Sequence, residues 1–151
     1  MNELTSNLRI EDVPKQEARP FDALGVIGAV ETKEVSNGYT QVVVPLSYRL
    51  SANDATDRTF YARFNIKPHW LTAEFTQQVV TSPTTIDPKE LIQYNINIKG
   101  LLRGLFTGAG IEEGAMDFRS LTGRLVGFRT KTQKNNPDRL EVARFFRPKV
   151  N

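Results

Sequence analysis

Cysteine is absent from the 151-residue chain, and its absence removes disulfides, thiolate metal sites and a cysteine nucleophile together. A chain without thiols suits a reducing compartment, so a cytoplasmic location is expected. Histidine occurs once, as His69, with no cysteine or clustered carboxylate beside it, so neither a metal site nor a Ser-His-Asp arrangement is predicted. His69 is read instead as a capping or packing residue near a helix start, and Trp70 as a core anchor. The paired carboxylates Glu112 and Glu113 stand in a glycine-rich turn, without a positioned partner to tune them for acid–base work. The glycines of GLLRGLFTGAG lack both the spacing and the Lys-Ser/Thr ending of a phosphate-binding loop. No catalytic role, metal or cofactor is expected. No apolar run approaches the roughly 18 residues of a membrane span, and the polar start lacks the basic and apolar regions of a signal peptide. Neither membrane association nor export is expected.

Acidic residues are scarce at one end. From Phe118 to Asn151 nine Lys and Arg stand against two acids, Asp138 and Glu141, while the whole chain carries a net charge of only +3. Everything before Phe118 is therefore net acidic. The charge has a direction, with a basic C-terminal surface of the kind a phosphate-bearing ligand needs. A chain of 151 residues fits one domain and buries roughly 70% of its unfolded surface, enough for a core without staples.

Residues 1–20 mix charged and polar side chains with Pro14 and Pro20 and offer no consistent face to bury. They predict an extended or disordered arm, ahead of a folded domain over 21–151. ALGVIGAVET and TQVVVPLSYRL are apolar, β-branched runs on either side of Asn37-Gly38, a strong hairpin signal because a type I′ turn needs positive φ at both central residues. Pro45 inside the second run predicts a bulge or an edge position. RTFYARFNI alternates, with Phe60, Ala62, Phe64 and Ile66 on a core face and Thr59, Tyr61, Arg63 and Asn65 on the outer one. Beyond Pro68, helical spacing relates Leu71, Phe75 and Val79. Asp87 and Pro88 then supply an N-cap and a first helical residue for a helix ending among Gly108 and Gly110. Its interior YNINI and Gly100 are poor helix formers. The last segment predicts strands over 123–133 and 140–147 joined by the turn residues KNNPDR.

Three antiparallel strands, a helical insert and a returning pair follow the element order of an OB-fold. This is a mainly β, five-stranded, partly open antiparallel barrel with its helix between strands three and four, which binds oligonucleotides on strands two and three and in its loops. The closing stretch MDFRSLTGRLVGFRTKTQKNNPDRLEVARFFRP resembles the closing segment of phage-encoded single-stranded-DNA-binding proteins. There a Leu-x-Gly, a basic strand, a polar hairpin and a strand ending in Phe-x-Pro recur. The matching residues are Leu121, Gly123, the strand Arg124 to Thr132, and Val142 to Pro148, about a quarter of the chain. The resemblance implies an OB-fold protein that binds single-stranded DNA in replication or recombination, in the host cytoplasm if phage-encoded. Bacterial single-strand-binding proteins usually end in an acidic partner-recruiting tail, whereas this sequence ends PKVN, so that mode of recruitment is not implied.

On such a barrel the ligand face presents Tyr39, Arg49, Tyr61, Arg63 and Lys67 on strands two and three. Tyrosine rings stack bases and cations meet phosphates. The last hairpin adds Arg129, Lys131, Lys134, Arg139 and Arg144. The plainer reading of the same residues is that tyrosine forms strands well and that a charge run solvates a face. Phe145 and Phe146 are adjacent and point to opposite faces. One belongs to the core, and the other to a helix contact, a stacking platform or an oligomer contact. The expected partner is single-stranded nucleic acid, DNA over RNA, bound without strong sequence preference. The alternative is a non-enzymatic β-barrel assembly module, a virion or complex subunit, that holds a neighbouring copy by its N-terminal arm and an exposed Phe as a homo-oligomer.

Overall fold

The computed structural model describes residues 7, 9–12, 18–51 and 53–149. Six strands, β1 (Asp22–Ile27), β2 (Glu31–Glu34), β3 (Thr40–Tyr48), β4 (Arg58–Ile66), β5 (Leu125–Thr132) and β6 (Leu140–Phe146), form one antiparallel sheet. The spine is β3. One edge pairs with β4 from Thr40↔Ile66 to Tyr48↔Arg58, and the other pairs first with β2 and then with β1. β1 continues through its far edge to β5, and β5 to β6. Among the described residues no ladder joins β4 to β6, so the sheet is open. The expectation of a mainly β chain with a helical insert after the β4 run holds.

The run expected as one first strand is divided into β1 and β2, and Pro45 explains where. Pairing stops at Ile27↔Leu46 and resumes at Glu31↔Val43, so three residues face two across a bulge. Pro45 lies there, and its carbonyl accepts from the Gly28 N–H at 2.8 Å. The N–H that proline lacks thus falls at the break rather than in a ladder. The Asn-Gly turn takes positive φ at both residues, 64° at Asn37 and 75° at Gly38. Val42, Val44 and Leu46 of β3 meet Ala62, Phe64 and Ile66 of β4 and Val126 and Phe128 of β5 in the core. In β6 an extra residue, Ala143, breaks the alternation, so Val142 and Phe145 both face inward although they are three apart.

The helical insert begins at a turn holding Trp70, which is buried as expected. Helix α1 (Ala73–Thr81) buries Phe75 and Val79, while Leu71, the third residue of the predicted stripe, lies before the helix and is exposed. Helix α2 (Pro88–Tyr94) starts with the Asp87 carboxylate accepting from the Lys89 N–H at 3.0 Å. It passes without interruption through a π-helical segment, Asn95–Leu102, into α3 (Arg103–Gly108). The poor helix formers of YNINI thus fall where the helix widens, and the helix does not break there. A Cβ on Gly108 would sit 2.9 Å from Val126 Cγ2 and 3.0 Å from the Phe146 carbonyl oxygen, so the glycine lets α3 settle on the last two strands. Glu90 Oε1 accepts from Trp70 Nε1 at 2.9 Å and lies 2.8 Å from His69 Nε2, tying α2 to the turn before α1.

Most of the predicted arm lies outside the described residues. Its last part is tethered, the Ala18 N–H donating to the Pro137 carbonyl at 3.2 Å, and just beyond it the Phe21 N–H donates to the buried Thr130 Oγ1 at 2.9 Å. Among the described residues no helix is long and apolar enough to cross a membrane.

Candidate nucleic-acid interface

β4 and β6 face one another across a cleft of about 470 Å³, with the π-helical segment closing one side. Three cations reach it from three strands: Arg63 from β4, Lys131 from β5 and Arg144 from β6. Strand alternation turns Arg63 to the outer face, opposite Val43, and the extra residue in β6 turns Arg144 outward beside it. Tyr39, just before β3, also lines the cleft, with Lys67 Nζ 5.0 Å from the centre of its ring.

The electrostatics separate the predicted cations into two sets. Among the described residues Arg63 and Arg144 make no ion pair; each lies instead over an aromatic ring, Arg63 at 5.4 Å from Tyr61 and Arg144 at 5.4 Å from Phe146. A guanidinium on a ring stays open to an incoming anion, whereas one held by a carboxylate must first give up that partner; Arg144 also feels Asp22 at longer range. Lys131 is loosely paired with Glu141 at 3.6 Å. Arg129 is gripped by Asp22 through two bonds of 2.8 and 2.9 Å, and that guanidinium holds the Asp22 carboxyl below its ordinary value. Arg49, just past the far end of β3, donates to Asp57 at 2.7 Å. Lys134 and Arg139 stand exposed on the hairpin loop, with no ion pair among the described residues.

Four of the predicted residues, Tyr39, Arg63, Lys131 and Arg144, are thus brought to one cleft. Tyr61, about half exposed, is next to them on the outer face of β4. Arg49 and Arg129 are engaged elsewhere. Sequence reading missed the helical wall. Gln93 and Asn97 line the cleft, and Asn97 Nδ2 donates to the Asn65 carbonyl of the free β4 edge at 2.6 Å. Their four-residue spacing was a visible sign of one helix face. Of the two phenylalanines, Phe145 is core and Phe146 lies outside over Gly127, where a Cβ would overlap its ring. No group of three or more His, Asp and Glu able to hold a metal is present among the described residues. No family model matches the chain, and no curated protein matches it.

Proposed function

We propose that the protein binds single-stranded nucleic acid, DNA in the first place, across the outer face of β4 and the cleft between β4 and β6. The observation that carries this reading is the convergence of Arg63, Lys131 and Arg144 from three strands beside Tyr39 and Tyr61. Phosphates need cations open to them, which Arg63 and Arg144 supply and the loosely paired Lys131 supplements, and unpaired bases need ring faces. The order of pairing supports an OB-fold origin for the surface: β1 pairs with both β3 and β5, and the gap between β4 and β6 stands where a partly open barrel has its seam. This reading assigns the protein no reaction. A second reading, an assembly module, is favoured by one observation: Leu24, Val26 and Leu125, each 45% exposed, adjoin on the outer face of β1 and β5.

Fluorescence anisotropy of a labelled oligothymidylate of about 30 nucleotides tests the main reading. Binding should weaken with salt, with a log–log slope of about −0.7 per phosphate neutralised. Arg63→Ala with Arg144→Ala should make that slope shallower by about 1.4 units, two contacts' worth, whereas Arg49→Ala should leave it unchanged. Absence of binding at low salt overturns the proposal.

A further inference from the structure

The cleft between β4 and β6 carries more than positive charge. Its helical wall supplies two amide side chains, Gln93 and Asn97, one turn apart. Among the described residues no hydrogen bond engages the Gln93 amide, and Asn97 uses its Nδ2 on Asn65 and leaves Oδ1 free. The apolar surface between them is mixed, with half-exposed Ile96 on one side and the nearly buried Leu101 and Val142 deeper in. At about 470 Å³ the cleft falls within the roughly 300–1,000 Å³ of small-molecule sites. It is a recess for one or two nucleotides, not a groove for a double helix.

Apolar walls, amides carrying both a donor and an acceptor, and cations at the rim match a nucleobase with its phosphate. The base has apolar faces and a polar edge, and an amide complements a base that offers one donor beside one acceptor. A recess of about 470 Å³ admits no duplex, so the fit requires a base splayed out of its helix. We infer that this cleft seats a single splayed-out base and reads its edge through Gln93 and Asn97, so that the protein discriminates between bases. The inference rests on the nucleic-acid reading above and departs from the expectation of binding without sequence preference.

Gln93 is exposed on α2, so Gln93→Ala removes a reader without opening the core. Twelve-residue oligomers of dA, dC and dT are titrated against the wild-type protein, Gln93→Ala and Asn97→Ala at one low salt concentration. The wild type should prefer one oligomer by about fivefold or more, the lower bound for one well-made amide–base pair, and Gln93→Ala should bring the three within twofold while keeping the salt slope. Wild-type binding to all three within twofold, or selectivity that survives both substitutions, overturns the inference while leaving the nucleic-acid reading intact. Failure to bind any oligomer removes both.

Discussion

At the scale of single residues, Glu141 offsets part of the positive charge of the cleft. Among the described residues it is the one acid that lines the cleft, 3.6 Å from Lys131 and directly opposite that lysine in the β5–β6 ladder. Both side chains are about half exposed, so the pair adds little to stability. Its larger effect is on a ligand, because the carboxylate occupies Lys131 and repels phosphate. Glu141→Gln should raise affinity for oligothymidylate roughly two- to fivefold at low salt, with a smaller gain as salt rises. An unchanged affinity would place the phosphates away from Lys131. Residue identity was legible along β4, where strict alternation assigns Arg63 outward and Phe64 inward. Partner identity was not. Nothing local marks Arg129 as the residue held by Asp22, because the two are 107 positions apart and meet only when β1 pairs with β5. Thr130 was equally opaque. A buried threonine in a basic strand is explained only by Phe21, whose N–H it accepts.

At the scale of elements, the helical insert is fastened by one carboxylate. Glu90 is held below its ordinary value of 4.5, first by the hydrogen bond from Trp70 and then by His69, against the opposing effect of partial burial. A carboxyl depressed on folding contributes stability above its unfolded value and loses it as pH falls through the folded one. The melting temperature should therefore drop as pH falls below about 4.5, and Glu90→Gln should flatten part of that drop while lowering stability at neutral pH. Thermal unfolding followed by circular dichroism between pH 7 and pH 3 checks both; an identical pH profile in the variant removes Glu90 from the account. The start of this element was readable, since Asp87-Pro88 is a local signal that needs no tertiary contact. The π-helical turn was not, because widening is decided by what the helix packs against. Here Asn97 reaches the free edge of β4, and Ile98 and Leu102 reach the core.

At the scale of the whole molecule, the open sheet leaves two outer surfaces with different chemistry, a cationic cleft and the apolar trio Leu24, Val26 and Leu125. The assembly reading predicts that sedimentation at raised concentration finds species larger than the 17.0 kDa chain, and that Val26→Lys returns them to monomer without changing oligonucleotide affinity. A monomer at every concentration removes that reading. The pairing order also fixes a history for each molecule. β1 is made before its second neighbour, β5, which arrives about a hundred residues later, as the 107-residue interval between Asp22 and Arg129 records. At about 5–20 residues per second, synthesis leaves one edge of β1 without hydrogen-bond partners for about 5 to 20 s, while the β3–β4 hairpin is complete well before. During that interval the growing chain is a half-built sheet with a sticky margin. Chaperone capture, stalling and truncation would act on this species rather than on the finished protein.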